Sequence, residues 1–220
     1  MTIGLMALSG QDKAPSVVFD NPVKDFGKVM QGETLKHVFS FSNKGSSALE
    51  ILSVEPSCGC QAASLSAKQI QAGQSGQIDV SVDTAGLTGA IEKSVNIITN
   101  DPRQPSVSLS VRADVQPEIS VSSPSIYFGN VPKGTEVTKE VIITVAAERS
   151  IKILSAESTD ESVTVKLEPV PDSEGKKIKL IATHKSDGKI GYRIEKITVK
   201  TTSYLTPEIA IYLAIRYFNR

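Results

Sequence analysis

The chain has 220 residues and a formal net charge of zero, from 24 Lys and Arg against 24 Asp and Glu. This length is enough for one large domain or two medium ones. The charge balance argues against nucleic-acid binding, because such proteins need a basic surface that displaces counterions from phosphates. Trp is absent and only five Tyr and six Phe occur, so we do not expect large aromatic recognition surfaces.

Residues 1–15 are expected to lie outside the folded domains. A short apolar run at residues 3–8 is too short to span a bilayer, and no transmembrane segment is predicted. The run is interpreted as the end of a secretory signal, with Ala7 and Ser9 as small residues near a cleavage point, or as a disordered end. No Lys or Arg precedes the run, so it is not a complete signal by itself.

An internal repeat determines the predicted architecture. Residues 26–29 (Phe-Gly-Lys-Val) reappear at 128–131 (Phe-Gly-Asn-Val), an offset of 129 − 27 = 102 residues. The same offset places Ile-Leu-Ser at 51–53 on Ile-Leu-Ser at 153–155. One offset without gaps across a unit of this size indicates two tandem copies of one fold.

Within each copy, apolar residues recur at every second position, which is typical of strands with one buried and one solvated face. The residues that share a buried parity are Leu35, His37, Phe39 and Phe41; Ile78, Val80 and Val82; Val107, Leu109, Val111 and Ala113; Val137, Val141, Ile143 and Val145; and Ile209, Ile211, Leu213 and Ile215. Short strands separated by turn residues predict an all-β chain of two tandem immunoglobulin-like antiparallel β-sandwich domains. We place them at residues 16–115 and 116–220.

Both cysteines lie in the first copy, in the motif Ser57-Cys58-Gly59-Cys60. Residues two apart on a regular strand lie about 6.5–7 Å from each other, whereas a disulfide needs Cβ atoms about 3.8 Å apart. Cys58 and Cys60 can therefore bridge only if Gly59 bends the backbone. Such a small ring adds little stability and is easily reduced. The open alternatives are a structural pair, a redox-active dithiol and a soft-metal site.

His37 is the candidate third ligand. If residues 43–47 form a tight connection, strands 35–43 and 48–55 pair as a hairpin, which places His37 opposite Val54 and near Cys58. Two thiolates and an imidazole would suit Cu(I), whereas structural zinc takes four ligands. The alternative is that His37 is an ordinary packing residue. In the second copy the equivalent positions are Lys139, Asp160 and Ser162, which are poor soft ligands.

No catalytic constellation is predicted. The two histidines, His37 and His184, lie in different copies, so the sequence suggests no Ser–His–Asp arrangement. Asp160 and Glu161 are expected in an exposed turn.

The first copy resembles a bacterial family of immunoglobulin-like domains of unknown function, related to Hydin-type and sperm-protein-like sandwiches. The resemblance rests on residues 26–33, on Phe39-x-Phe41-x-Asn43-x-Gly45, on the Ser-Cys-Gly-Cys motif and on the segments 70–76, 83–84 and 99–102. Gln61 departs from the Thr that usually follows the second cysteine, and the second copy lacks the motif. The resemblance implies an exported envelope or periplasmic protein and implies no activity.

These observations predict a non-enzymatic, exported structural or interaction module that binds a protein partner, in the periplasm or secreted. The alternative is a thiol redox or Cu(I)-binding protein that uses Cys58 and Cys60, together with His37 in the metal site. No cofactor other than this Cu(I) is expected.

Overall fold

The computed structural model describes residues 13–57, 60–186 and 191–217, with the backbone alone at 60–63 and 217. Every regular element in these ranges is a β-strand, and no helix suited to crossing a membrane occurs among them. The chain divides into two compact units, Met1–Gln116 and Pro117–Arg220, which we call domain 1 and domain 2.

Domain 1 is a β-sandwich of two sheets. Its strands are β1 (Val17–Phe19), β2 (Val23–Met30), β3 (Thr34–Asn43), β4 (Leu49–Pro56), β5 (Cys60–Leu65), β6 (Gln69–Ile70), β7 (Ser75–Asp83), β8 (Gly89–Thr99) and β9 (Ser106–Gln116). The sheet orders are β1-β3-β7-β5 and β2-β9-β8-β4-β6. These are the A-B-E-D and G-F-C orders of an immunoglobulin constant-type sandwich, with β2 added parallel to β9.

Domain 2 repeats this topology. Its strands are β10 (Ile119–Val121), β11 (Ser125–Asn130), β12 (Glu136–Val145), β13 (Ile153–Ser158), β14 (Val163–Pro169), β15 (Lys177–Lys185), β16 (Gly191–Thr201) and β17 (Glu208–Tyr217). The sheet orders are β10-β12-β15-β14 and β11-β17-β16-β13. The fold is thus all-β, with immunoglobulin-like β-sandwiches, as predicted.

The buried faces follow the alternation of the sequence. Each domain has its own apolar cluster, centred on Phe39, Ile78 and Ile97 in domain 1 and on Leu180, Ile197 and Leu213 in domain 2. Most of the predicted core residues are buried, with Ile78, Val82, Ile211, Leu213 and Ile215 at 0% exposure. The predicted core positions His37, Val107, Val137 and Ile209 are half-buried.

The glycine of the repeated Phe-Gly pair is required by the backbone conformation at that position. Gly27 and Gly129 have φ values of 66° and 76°, which L-residues with a side chain rarely adopt. Both glycines lie at a β-bulge, where the parallel register of β2 with β9 and of β11 with β17 shifts. The bulge explains why the pair recurs in both copies.

Two fully buried polar residues hold the start of domain 1 against its loops. The Asn43 side chain accepts hydrogen bonds from the backbone N–H of Ser16 (3.2 Å) and Gly45 (3.0 Å). Its amide donates to the carbonyls of Ser47 (2.7 Å) and Ile70 (2.9 Å). With 0% exposure and all four bonds made, Asn43 fixes the connection between β3 and β4.

Asp101 performs a similar task for the β8–β9 turn. Its carboxylate accepts hydrogen bonds from the backbone N–H of Val17 (2.9 Å) and Arg103 (2.8 Å). In domain 2 the equivalent position is Ser203, whose hydroxyl donates to the buried carboxylate of Glu118. The tie between the first strand and this turn is therefore present in both domains, with different side chains.

We expect Asn43→Ala to lower the free energy of unfolding of domain 1 by about 2–4 kcal/mol, because it leaves buried backbone groups without partners. All five Tyr lie in domain 2. Tyrosine fluorescence during urea denaturation therefore reports domain 2, and far-UV circular dichroism reports both domains. Only the dichroism transition should shift.

The control is Asn21→Ala, which removes one exposed hydrogen bond, from the N–H of Val23 (3.0 Å). It should cost less than about 1 kcal/mol. Equal effects of the two substitutions would show that Asn43 is not a structural tie.

Candidate functional site

The cysteine motif lies where the chain crosses from one sheet to the other. β4 ends at Pro56, which pairs with Val95 of β8. The next residue, Ser57, donates its N–H to the carbonyl of Ser94 (2.8 Å). β5 then begins at Cys60, which pairs with Val82 of β7 in the opposite sheet. The strands that end at Pro56 and begin at Cys60 therefore belong to different sheets, and we call the place where they adjoin the corner of domain 1.

The predicted hairpin that would bring His37 to this corner is wrong. β3 pairs with β7, which places His37 opposite Val80, whereas β4 pairs with β8, which places Val54 opposite Ile97. The short connection at residues 44–48 crosses between the sheets, as the B–C connection of an immunoglobulin fold does. Loop length alone does not distinguish such a crossing from a hairpin.

β7 separates His37 from Cys60. β3 and β5 flank β7 on its two sides, and their partners on it, Val80 and Val82, are two residues apart. From strand spacing and rise, the Cα atoms of His37 and Cys60 lie about 12 Å from each other. The two residues share one sheet without being neighbours.

The immediate surroundings of His37 are those of a packing residue. The side chain is half-buried, and its ring meets that of Phe39 edge-on, with centroids 4.6 Å apart and an interplanar angle of 88°. Burial, and then the positive charge of Lys24, lowers the pKa of His37 below its ordinary value. Both effects favour the neutral form of the imidazole.

The predicted metal and redox site cannot be located as a whole. Cys58 lies outside the described residues, as does the side chain of Cys60. Within the described ranges, no group of three or more His, Cys, Asp or Glu side chains could hold a metal ion. The assignment of Cys58, Cys60 and His37 to a metal, and of the two cysteines to redox chemistry, stays a prediction.

The same corner of domain 2 holds a buried polar network that the sequence did not suggest. Asp160 and Ser162 lie 102 residues after Cys58 and Cys60, and His184 lies 102 residues after Val82. The Ser162 hydroxyl donates to Asp160 Oδ1 (2.5 Å) and lies 3.0 Å from His184 Nδ1. Arg193 Nη1 lies 3.7 Å from Asp160 Oδ2.

Two expectations are corrected by this network. Asp160 is buried, with 6% exposure, instead of lying in an exposed turn, whereas Glu161 is exposed. A Ser, a His and an Asp do come together, although the sequence suggested no Ser–His–Asp arrangement. Paired strands β14 and β15 bring them together, since the residue after Ser162 is the register partner of His184.

The order of this network is unsuited to nucleophilic catalysis. In a catalytic triad the histidine stands between the hydroxyl and the carboxylate and removes the hydroxyl proton. Here the hydroxyl of Ser162 stands in the middle and gives its proton to Asp160, so it accepts from Nδ1–H of His184. The arrangement holds the corner together and does not activate Ser162.

Exposed tyrosines form a surface that composition argued against. Tyr127, Tyr192 and Tyr212 are 56%, 60% and 54% exposed and lie on adjacent strands of one sheet of domain 2. The whole-chain aromatic content is low, but strand parity collects these side chains on the outer face. The sequence holds this information, because the tyrosines of β16 and β17 alternate with core residues.

A second exposed feature recurs in both domains. Leu52 and Leu154 occupy equivalent positions and are 55% and 60% exposed. Each lies at a β-bulge, where the pairing of β4 with β8 and of β13 with β16 skips one residue. A bulge re-aims the extra side chain, and in both domains that side chain is a leucine in contact with solvent.

The lowered pKa of His37 makes the stability of domain 1 pH-dependent. The contribution of neutral His37 is complete above its unfolded pKa of 6.5 and is lost as the pH falls through the lower folded pKa. Between pH 7.5 and pH 5, we therefore expect His37→Gln to lose less stability than the unchanged protein in urea denaturation followed by circular dichroism. An NMR titration of His37 should show its pKa rising on Lys24→Gln. An unchanged pKa would exclude the role of Lys24.

Residues 17–115, which make up most of domain 1, match the family described as "Protein of unknown function (DUF1573)". No curated protein sequence matches the chain. The family match supports the resemblance inferred from the sequence, to the extent of a domain family whose function is unknown.

Solved structures resemble the chain in fold. A protein of unknown function from Porphyromonas gingivalis is 12% identical, with 91% of this chain and 99% of that chain covered and a TM-score of 0.38. A tandem of titin Ig domains is 10% identical, with 94% and 98% covered and a TM-score of 0.32. The N-terminal eight Ig domains of Down Syndrome Cell Adhesion Molecule are 13% identical, with 93% and 27% covered and a TM-score of 0.42. The similarity concerns the immunoglobulin-like fold alone.

Proposed function

We propose that the protein is a non-enzymatic, exported interaction module of the bacterial cell envelope, which binds a protein partner along its sheet edges. The observation that carries this proposal is the recurrence of an exposed leucine, Leu52 and Leu154, at the same β-bulge of both domains. One exposed leucine is ordinary on a protein surface. The same bulge with the same exposed residue in two diverged copies is a stronger indication of a binding role.

The strands that carry these leucines have edges to which a partner can add. β13 is the last strand of its sheet. In domain 1, β6 pairs only with Leu49 and Glu50 of β4, so in the described ranges no strand covers residues 52–56 of β4 on that side. Leu52 there shares a shallow hollow with Val54, Leu65 and Lys68. An added strand would bond to the backbone while an apolar side chain fills the hollow.

The proposed location is the periplasm or the outside of the cell. The apolar run at residues 3–8, interpreted as part of a secretory signal, supports it. The resemblance of the first copy to a family whose members look exported supports it as well. Cell fractionation that finds the protein in the cytoplasm would contradict this part of the proposal.

The partner is tested by affinity capture from an envelope extract, under oxidising and under reducing conditions. We expect the unchanged protein to retain a partner protein. The Leu52→Ser variant should capture about tenfold less of that partner, because the apolar anchor is lost. The matched control is Val38→Ser, which removes an apolar side chain of 44% exposure from the opposite sheet. Equal retention by both variants would exclude Leu52 as part of the binding surface.

The alternative function is a thiol redox or Cu(I) site at Cys58 and Cys60. The observation that favours it is that Pro56 and Cys60, on either side of Cys58, belong to strands of different sheets. Cysteines two apart on one regular strand are too far from each other for a disulfide, so a change of sheet at this motif suits a bridge or a shared metal.

For the metal version, we expect mass spectrometry after Cu(I) loading to show one bound ion that is lost in Cys58→Ser/Cys60→Ser. Equal uptake by both proteins would exclude this site. For the redox version, a titration with dithiol buffers should show reversible oxidation of the pair at a potential above that of stable structural disulfides. Failure to cycle would exclude that role.

A further inference from the structure

The outer row of β17 is symmetric in side-chain type about Tyr212 but carries opposite charges at its two ends. Its residues are Glu208, Ala210, Tyr212, Ala214 and Arg216. They alternate with Ile211, Leu213 and Ile215, which are fully buried. The row therefore consists of an acid, a small residue, an aromatic ring, a small residue and a base.

Neighbouring strands widen this row into an apolar face. Tyr127 of β11 and Ile194 of β16 both pair with Ala214, one on each side. Tyr192 pairs with Arg216. The exposed fractions of Tyr127, Ile194, Tyr192 and Tyr212 are 56%, 64%, 60% and 54%. Contiguous exposed tyrosines with an arginine at the rim are typical of protein interfaces.

The fold itself does not require this composition. At the equivalent positions of domain 1 the outer face carries Asp25, Ala90, Glu92, Ser110 and Arg112. Arg112 and Glu92 form an exposed ion pair at 3.0 Å, and Ser110 donates to Glu92 at the same distance. One sandwich thus has a polar face at the site where the other has an aromatic one.

We propose that two copies of the chain associate through this face of domain 2. The two-fold axis would pass Tyr212 and run across the strands, so that the two β17 strands face each other in opposite directions. Glu208 of each copy then meets Arg216 of the other, and Ala210 meets Ala214. Such a contact is isologous and closes at two copies. The row has opposite charges at its two ends and is therefore complementary to itself in the reverse direction. This is why we propose a second copy of the chain as the partner for this face.

The size of the face predicts a weak dimer. From Glu208 to Arg216 the row extends about 27 Å, and four strands span about 19 Å. Two such faces bury about 1,000 Å² together, which is at the lower limit for a specific interface. We therefore expect a dissociation constant in the micromolar range.

Lys196 opposes this association and offers a separate test. Lys196 pairs with Tyr212 in the register of β16 with β17, so it lies close to the two-fold axis. In the dimer it would face Lys196 of the second copy. Its stem can lie along the apolar surface while the ammonium extends toward water, but like charges that face each other are unfavourable. Lys196→Gln should therefore tighten the dimer.

The aromatic face lies in domain 2, apart from the Leu52 edge of domain 1, although its last strand, β13, also carries Leu154. A monomeric protein would leave the strand-edge partner of domain 1 unaffected, and the loss of that partner would leave the dimer unaffected. The two proposals therefore fail independently.

The experiment is sedimentation velocity of the full chain from about 1 to 300 µM, a range that brackets a micromolar dissociation constant. We expect a monomer–dimer equilibrium that Arg216→Glu and Glu208→Arg each weaken at least tenfold. The double variant Glu208→Arg/Arg216→Glu should restore the affinity to within about threefold, because the reversed charges again face each other. Lys196→Gln should strengthen it about threefold.

The matched control is Asp114→Arg, which reverses a charge at the domain 1 position equivalent to Arg216 and should leave association unchanged. Tyrosine fluorescence and circular dichroism confirm that each variant is folded. A protein that stays monomeric at 300 µM, single variants that associate normally, or a double variant as weak as the single ones would each overturn the proposal.

Discussion

The alternation of buried and exposed side chains along the long strands is the constraint on which the rest of the structure depends. In β17, Ile211, Leu213 and Ile215 are fully buried, and the residues between them face water. A slip of one residue against β16 would move Tyr212 and Arg216 into the core and the isoleucines into solvent. The cost of burying a charge and losing apolar burial holds the register in place. The outer face therefore inherits its arrangement from the core.

Both domains keep the alternation of buried and exposed residues along their strands. They differ in the loops, where this alternation does not constrain the sequence. Apolar residues recur at the core positions of both copies, yet the polar ties at the loops have changed. The carboxylate of Asp101 accepts from the backbone of Val17 in domain 1, whereas Ser203 donates to Glu118 in domain 2. The corner with the cysteines in one copy carries Asp160, Ser162 and His184 in the other. A loop needs its buried polar groups satisfied, but several side-chain sets achieve this.

The sequence predicted the fold and the core because both follow from local periodicity and from a repeat within one chain. Neither carries information on which strands become neighbours, and the errors are of that kind. The connection after Asn43 is as short as a hairpin loop, yet it crosses between sheets, and the amide of Asn43 holds that crossing by bonds to Ser47 and Ile70. His37 was placed by the wrong pairing. Asp160 and His184 are 24 residues apart in sequence, and only the pairing of β14 with β15 joins them.

The aromatic face is missed when composition is averaged over the chain and is found when residues are sorted by strand parity. Averaged over the chain, five Tyr and six Phe are a low aromatic content, and this average suggested no aromatic recognition surface. Sorted by parity, Tyr192 and Tyr212 fall on positions that the core cannot use, on strands that pair directly. Domain 1 fills this face with Asp25 and the Glu92–Arg112 ion pair, which is well hydrated and gains little from burial. Selection for solubility alone would favour the polar version in both copies. Domain 2 instead keeps an apolar face, with charges of opposite sign at the two ends of its central strand. Association of two copies accounts for both features, because it covers the apolar side chains and pairs the charges.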